Sequence, residues 1–305
     1  MLSRHTHNDL VWIDAQSPTP DEVKMLVEEF NIHPRAAEEL TIKTLRPKVD
    51  VYENFIYLIL HFPKISSAQG LEREQEIDFI IGKNFLITAH YGLIDTIYEL
   101  SKIFDVHSIL KKPNVEKHAG YIFFHIMRDL YKMLDDELDH AARHFNKIEP
   151  QVFGGNEHSM VRALSSLNRD LIHFKQTLRP HKEVLGSFEF AGTKFFGEEF
   201  SHSLRTIIGE YYEVSATLNA QHETLIELRN TNDSLLATKT NDIMKTLTIT
   251  TFIMLPITFI TGLFSMSVQN TPLINHPQAF WIIIGTMFTV GACIYSYFRF
   301  IKKWM

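Results

Sequence analysis

The sequence is short of the residues that many binding and catalytic classes need. Its single cysteine, Cys293, excludes an internal disulfide and a metal site built from several thiolates of one chain. Lys and Arg never cluster beyond two or three and the net charge is −6, so binding through clustered cations to nucleic-acid phosphates is not expected. Glycine-rich phosphate loops and the His-Glu-x-x-His and Gly-x-Ser-x-Gly motifs are missing too, so we do not expect an enzyme.

Charge is missing altogether from residues 246–298, which contain no Asp, Glu, Lys or Arg. Leu247–Val268 offers 22 consecutive uncharged residues and Phe280–Phe298 offers 19. A helix needs about 20 mostly apolar residues to cross a hydrocarbon layer of about 30 Å. We therefore expect transmembrane helix 1 over 246–268 and transmembrane helix 2 over 280–298. A buried hairpin in a soluble core is the weaker alternative, because two adjacent C-terminal stretches of this length are rare there.

Positive charges flank this pair of helices on one side only. Lys239 and Lys245 precede the first span and a basic tail, 299–305, follows the second, whereas the connecting loop 269–279 has neither Lys nor Arg. Loops rich in Lys and Arg stay in the cytoplasm. The pattern predicts a multi-pass protein of the plasma (inner) membrane, with both termini cytoplasmic and the loop 269–279 outside.

The first span carries a stripe of polar, small and flexible residues. Steps of three and four residues connect Asn241, Met244, Thr248, Thr251, Leu255, Thr258 and Gly262. Such steps keep side chains on one side of a helix. Contact with lipid would not favour this mixture. A helix–helix contact would favour it, and so would a water-lined pore built from several copies, and periodicity alone does not choose between them.

Upstream of the spans the pattern is that of a soluble protein in two parts. Residues 1–115 alternate strand-like and helix-like stretches, with paired strands at 49–60 and 77–88 around a Gly82-Lys83-Asn84 turn. Pro20 opens one helix and Pro34 another through Leu40. We predict a cytoplasmic α/β domain with a mixed sheet.

Residues 116–245 have helical periodicity and form the predicted helical bundle and stalk. Helices are expected at 117–148 and 157–187, separated by Pro150 and by Gly154-Gly155. From residue 195 to residue 265, one helix of roughly 105 Å would run from this bundle into the first span. A helix that long needs neighbours, so we expect oligomerisation.

The order and spacing of several motifs resemble the CorA family of divalent cation (Mg²⁺/Co²⁺) transporters, over essentially the whole chain. The motifs are Trp12-Ile13-Asp14, His33-Pro34-Arg35-Ala36, Arg46-Pro47-Lys48-Val49, Glu76-Ile77-Asp78-Phe79 with the run 82–90, Asn241-Asp242-Ile243-Met244-Lys245, the run 255–262 and Lys302-Lys303-Trp304.

The resemblance implies a homopentamer with a funnel-shaped cytoplasmic domain, in which the first span lines a central pore. The implied cargo is Mg²⁺ or Co²⁺, moved passively; the implied partners are other copies, divalent cations and membrane lipid, with no organic cofactor. Asn241 would form a ring at the cytoplasmic entrance, and Met244 and Leu247 would form a hydrophobic constriction. The remaining pore-lining residues would be Thr248, Thr251, Leu255, Thr258 and Gly262.

Two positions depart from the family's pattern. The family's Gly-Met-Asn at the outer mouth is replaced by Ser265-Met266-Ser267, which weakens the expected selectivity for hydrated Mg²⁺. An aspartate of the family's cytoplasmic metal sensor aligns with Asn230, so a regulatory site would rely on Asn230 and on Asp233, the nearest acid. A zinc transporter of the ZntB type with proton coupling, and a non-conducting membrane-anchored metal sensor or scaffold, are the alternatives.

Overall fold

A computed structural model describes most of the chain and divides it into two units. The described residues are 1–7, 9–63, 74–92, 94, 97–99, 101–102, 118–266 and 277–301. The first unit is Met1–Arg229 and the second is Asn230–Met305.

The first unit contains a six-stranded mixed sheet, as predicted. In chain order its strands are β1 (Leu2–His7), β2 (Leu10–Gln16), β3 (Lys48–Val51), β4 (Phe55–Pro63), β5 (Glu74–Gly82) and β6 (Phe85–His90). Their order across the sheet is β1-β2-β6-β5-β4-β3, and only β2 and β6 run parallel. The predicted turn at Gly82-Lys83-Asn84 joins β5 to β6. The predicted run 49–60 holds two strands, because a turn after Val51 reverses the chain.

Helices α1 (Pro20–Phe30) and α2 (Pro34–Glu39) cover one face of the sheet. Thr19 starts α1 with a capping box, in which its hydroxyl accepts a hydrogen bond from the N–H of Glu22 and the Glu22 carboxylate accepts one from the N–H of Thr19. Both faces of the central strands are covered, which explains why β4 is buried from end to end.

Three further helices follow, α3 (Gly120–Phe153), α4 (Glu157–Leu178) and α5 (His181–Phe196). The ring of Phe123 on α3 packs edge-on against Phe79 of β5 and Phe188 of α5, at centroid distances of 5.1 and 4.9 Å. The predicted break between α3 and α4 is confirmed at Gly154-Gly155, whereas Pro150 does not end the helix and lies inside α3, which continues to Phe153. A proline near the end of a helix removes one hydrogen bond without ending it.

The prediction of a single helix over 157–187 is wrong, because two helices occupy this range. Arg179 and Pro180 separate α4 from α5. Arg179 keeps helical backbone angles and its N–H bonds to the backbone oxygen of Lys175, but Pro180 has no N–H to continue this series of hydrogen bonds, so α4 ends there.

The long helix predicted from residue 195 begins at Glu198. Gly197 has φ +97° and so separates it from α5. This helix, α6 (Glu198–Ser265), runs for 68 residues through Pro256, and α7 (Ala279–Ser296) continues into a π-helical turn, Tyr297–Ile301. The C-terminal part of α6 and the helix from Ala279 onward are each long and apolar enough to cross a membrane. They correspond to the two predicted spans.

A buried histidine joins three elements of the first unit. The side chain of His181 at the start of α5 is fully buried. Its Nε2 lies 2.8 Å from the backbone oxygen of His61 on β4, and its Nδ1 lies 2.8 Å from the hydroxyl of Tyr131 on α3. An Nε2–H tautomer donates to the carbonyl and accepts from the hydroxyl. Burial lowers the pKa of His181 to about 4, so the ring is neutral at pH 7.

A second polar cluster lies beneath α2. Asp78 on β5 is fully buried and accepts a hydrogen bond of 2.9 Å from the hydroxyl of Tyr57. Burial, and then the charge of Glu76, raise the pKa of Asp78 well above its usual value. Both carboxylate oxygens of Glu76 accept the N–H of Thr44 at 2.9 Å, and one of them accepts its hydroxyl at 2.8 Å. This carboxylate therefore fixes the loop between α2 and β3.

Candidate functional site

The second span covers one face of the first. A Cβ built on Gly291 of α7 would lie 3.7 Å from Ile257 Cδ1 and 3.8 Å from Ile253 Cγ2 of α6. One turn before Ile253, the side chain of Ile249 is buried, with 3% of its surface exposed. At 3.6 residues per turn, Ile249 and Ile257 lie within about 40° of Ile253 around the helix. These isoleucines define the covered face of the first span.

The predicted pore-lining residues lie on the other side. Counted from Ile253, all eight of them fall between about 120° and 240° around the helix axis, centred opposite the covered face. Thr248 is half-buried and the others are exposed in the single chain; Met244 is 54% and Leu247 59% exposed. The second span of the same chain therefore does not cover the stripe. A contact with another copy and a water-lined pore remain as the two explanations.

The stripe presents hydrogen-bond acceptors. The hydroxyl of Thr248 donates to the backbone oxygen of Met244 at 2.7 Å. Thr251 and Thr258 donate in the same way to Leu247 and Met254, each at 2.8 Å. Because each hydroxyl hydrogen is used within the helix, the oxygen lone pairs are what remains for a ligand. Water molecules bound to a cation point their hydrogens outward, so such a surface suits a hydrated cation.

The charges near the N-terminal end of the stripe offset each other. Next to Asn241, the Asp242 carboxylate lies 3.2 Å from the Lys245 ammonium. An exposed pair of this kind contributes little to stability. The stripe itself contains no ionisable side chain, so its contacts with a cation come from hydroxyl oxygens and the Asn241 amide.

The predicted outer mouth is described in part. Ser265 is the last residue of α6, and Met266 follows it with an exposed side chain. Ser267 lies outside the described residues, as does the connecting loop as far as residue 276. Lys302 to Met305 of the basic tail lie outside them too.

The predicted regulatory residues have no further His, Cys, Asp or Glu ligands grouped with them in the part of the chain that the structure describes. Asn230 and Asp233 are exposed on α6, three residues apart. Among the described residues, no group of three or more His, Cys, Asp or Glu side chains is arranged to hold a metal ion. A site that uses Asn230 and Asp233 would need further ligands from another copy.

Sequence reasoning missed the contact between the two spans. Gly291 of α7 allows the close approach to Ile253 and Ile257, and the Phe298 ring packs on the Phe252 ring with centroids 5.7 Å apart. The presence of Gly285 and Gly291 in an apolar helix is a signal for close packing. That signal does not tell which glycine is used, and nothing lies within 4 Å of a Cβ built on Gly285.

Comparisons with known proteins agree over nearly the full length. A family model described as CorA-like Mg²⁺ transporter protein matches residues 7–302. The cobalt/magnesium transport protein CorA of Thermotoga maritima is 26% identical over 294 residues, which cover 93% of this chain and 80% of that protein. The protein of the same name from Methanocaldococcus jannaschii is 24% identical over 292 residues, covering 95% and 90%.

Solved structures share the fold. The complete structure of the CorA magnesium transporter from Methanocaldococcus jannaschii matches with a TM-score of 0.82 at 21% identity, covering 97% of this chain and 92% of that one. The cytoplasmic domain of ZntB from Vibrio parahaemolyticus matches with a TM-score of 0.63 at 15% identity, covering 77% and 91%. The N-terminal α/β part, the long helix and the two candidate spans therefore form one known architecture.

Proposed function

Because the chain belongs to the CorA-like Mg²⁺ transporter family, as its motifs indicated, we propose that it carries Mg²⁺ or Co²⁺ across the membrane through a central pore lined by α6. The position of the polar stripe carries this proposal. The stripe lies opposite the face that Gly291 covers, and its threonines direct hydroxyl lone pairs away from the helix. A surface of acceptors that the chain leaves uncovered fits a hydrated cation better than it fits lipid.

A closed pore requires several copies, and we propose a homopentamer. One helix offers a single wall, so a water-filled path needs its repetition around an axis. In this assembly, Asn241 forms the cytoplasmic entrance ring, and Met244 and Leu247 form a constriction that closes by excluding water. Thr248, Thr251, Leu255, Thr258 and Gly262 line the path beyond it.

The proposed orientation places the domains 1–115 and 116–245 and the tail 299–305 in the cytoplasm, with the loop 269–279 outside. It rests on the distribution of Lys and Arg around the spans. A divalent cation that enters across a potential of 100 mV, negative inside, gains about 4.6 kcal/mol. Passive uptake therefore needs no nucleotide site.

Hydration is central to the proposed mechanism. Mg²⁺ holds six waters in a near-ideal octahedron and loses them reluctantly. Acceptor oxygens at Thr251 and Thr258 bond those waters, so that the ion does not have to be dehydrated. The apolar constriction provides the barrier, because water leaves a narrow pore lined by Met and Leu side chains.

The mouth and the regulatory site are where we expect this chain to differ from typical members. Ser265-Met266-Ser267 offers shorter side chains than the family's Gly-Met-Asn, which favours weaker Mg²⁺ selectivity. Asn230 and Asp233 supply one carboxylate per copy, so we expect weak control by cytoplasmic Mg²⁺. The altered mouth is also the observation that favours ZntB-like zinc transport with proton coupling as the second candidate.

One experiment separates these functions. The full chain is reconstituted in liposomes that contain dyes for Mg²⁺, Co²⁺ or Zn²⁺, and influx is measured with and without an inside-negative potential and a pH gradient. We expect Mg²⁺ and Co²⁺ influx that grows with the potential and ignores the pH gradient. Zinc influx driven by the pH gradient would favour the second candidate. No flux above that of empty vesicles would leave a non-conducting sensor or scaffold.

A further inference from the structure

The tightest packing of the membrane segment lies beside the proposed constriction. Among the described side chains from Thr246 onward, the buried ones are Ile249 at 3% exposure and Phe298 at 8%. Ile249 follows Leu247 by two residues, about 3 Å along the axis, and Phe252 follows it by five, about 7.5 Å. The contact between Phe252 and Phe298 is therefore close to the level at which the pore would close.

A π-helical turn directs Phe298 onto the first span. The turn Tyr297–Ile301 follows the last α-helical residue of α7 and changes the direction of the side chains beyond Ser296. Phe298 faces the Phe252 ring at a centroid distance of 5.7 Å, whereas Phe300, two residues later, is 72% exposed. The same short turn thus provides a buried and an exposed phenylalanine.

The contacts between the two spans restrict rotation of the first span. Counted from Ile253, Phe252 lies at about −100° and Ile257 at about +40° around the helix, so the contacts cover an arc of roughly 140°. Phe298 contacts the first span at one end of this arc, through Phe252, and Gly291 contacts it toward the other end. A rotation that moved Met244 and Leu247 away from the pore axis would have to break one of these contacts.

We propose that Phe298 is a positioning residue for the constriction: through Phe252 it fixes the rotation of the first span and so keeps Met244 and Leu247 directed at the pore axis. The inference rests on the proposed function, because it assumes a pore along the stripe. Phe298 itself does not touch the ion. Loosening the contact shifts the population toward a wider constriction, since packed contacts hold discrete arrangements.

Leucine substitutions test the ring contact without making the span less apolar. The variants are Phe298→Leu, Phe252→Leu, the two together, and Phe300→Leu as the matched control on the exposed side of the turn. For labelling, all are made in the full-length chain with Cys293→Ala and Thr251→Cys; for Mg²⁺ flux, the same variants are made with Thr251 and Cys293 retained. Thr251 lies beyond Leu247 from the cytoplasm, so a charged, water-soluble thiosulfonate reaches its thiol only through the constriction. Labelling of inside-out membrane vesicles and Mg²⁺ flux in liposomes are measured in parallel.

We expect Phe298→Leu and Phe252→Leu each to speed labelling by roughly tenfold, and Mg²⁺ flux to rise with it. The double variant should be labelled about as fast as either single variant, because each single change already removes the same contact between the two rings. Phe300→Leu should be labelled at the same rate as the chain that carries only Cys293→Ala and Thr251→Cys. Equal labelling in Phe298→Leu and Phe300→Leu would overturn the inference, as would loss of the assembled protein in Phe298→Leu alone. Labelling needs no ion flux, so the absence of Mg²⁺ flux in the chain that retains Thr251 would contradict the proposed function separately.

Discussion

Single buried residues determine how the stability of the first unit responds to pH, and His181 is the clearest case. Its folded pKa of about 4 lies below the ordinary value of about 6.5, because burial disfavours the charged ring. The contribution of neutral His181 to the stability of the folded state is therefore complete above pH 6.5. It is lost as the pH falls toward 4, by about 1.4 kcal/mol per pH unit. The neutral ring is required because it must accept the hydroxyl hydrogen of Tyr131.

Replacing this histidine should flatten the acid side of the stability profile. His181→Gln keeps a donor and an acceptor but cannot become charged, so we expect lower stability at pH 7.5 and a smaller decrease between pH 6.5 and 4. Thermal unfolding of the full chain in detergent at several pH values measures both. His144→Gln, an exposed change on α3, should retain the slope of the natural protein. An unchanged slope in His181→Gln would contradict the assignment.

The contribution of Asp78 to the stability of the folded state has the opposite pH dependence. Its pKa is raised in the folded state, so its stabilisation is present below the unfolded value of about 3.8 and is lost as the pH rises through the folded value. Asp78→Asn keeps an acceptor for the Tyr57 hydroxyl and adds a donor toward Glu76. We expect a gain on the order of 1 kcal/mol at pH 8 in detergent unfolding. Asp136→Asn on the exposed side of α3 should change nothing, and a marked loss in Asp78→Asn would contradict the raised pKa of Asp78.

The hydroxyls of the first span can be tested by shape-conserving changes. Thr251→Val and Thr258→Val remove the acceptor oxygen and keep the volume, so we expect each to lower Mg²⁺ flux in liposomes by about fivefold or more. Serine at the same positions should restore the flux. Thr250→Val is the matched control, because its hydroxyl also bonds back to the helix but lies about 60° from Ile253, beside the covered face and away from the stripe. Equal effects at Thr250 and Thr251 would mean that the stripe does not line the pore.

Among the elements, the helices show how far sequence patterns reach. The absence of proline between Phe195 and Lys245 predicted one helix into the membrane, and α6 has that form. Its start was set by Gly197, whose φ of +97° only the structure reveals. Pro150 and Pro180 look alike in sequence, yet one lies inside a helix and the other separates two. The presence of a proline alone therefore does not tell whether a helix ends there.

The packing of α7 on α6 leads to a prediction with a built-in control. A methyl group on Gly291 would meet Ile253 and Ile257 at ordinary contact distance, so Gly291→Ala should be tolerated. Gly291→Leu should push the spans apart and reduce the assembled fraction in size-exclusion chromatography, because overpacking costs about 1–3 kcal/mol. Gly285→Leu should assemble normally, since a Cβ there has open space. Equal behaviour of the two leucine variants would show that the spans do not meet at Gly291.

In the whole molecule, the proposed pore belongs to no single chain, and this limited what the sequence could establish. Periodicity located the stripe on α6 and left two explanations open. The structure shows that the stripe does not contact the second span of the same chain, because that span packs on the opposite face of α6. The number of copies and the ligands that join Asn230 and Asp233 depend on neighbours, whose positions no pattern within one chain encodes.

The proposed outer mouth would be a property of the assembly for the same reason, since each copy would contribute one Ser265-Met266-Ser267 segment. Asparagine in place of Ser267 would reach further toward the axis and offer an amide oxygen to the waters of an arriving ion. We therefore expect Ser265→Gly combined with Ser267→Asn to raise Mg²⁺ flux relative to Zn²⁺ flux in liposomes, by roughly tenfold if one hydrogen-bonded ring is gained. Ser265→Gly alone should change the ratio little. If the double variant leaves the ratio where it was, the serines already select Mg²⁺, and the weaker selectivity inferred from the altered signature is wrong.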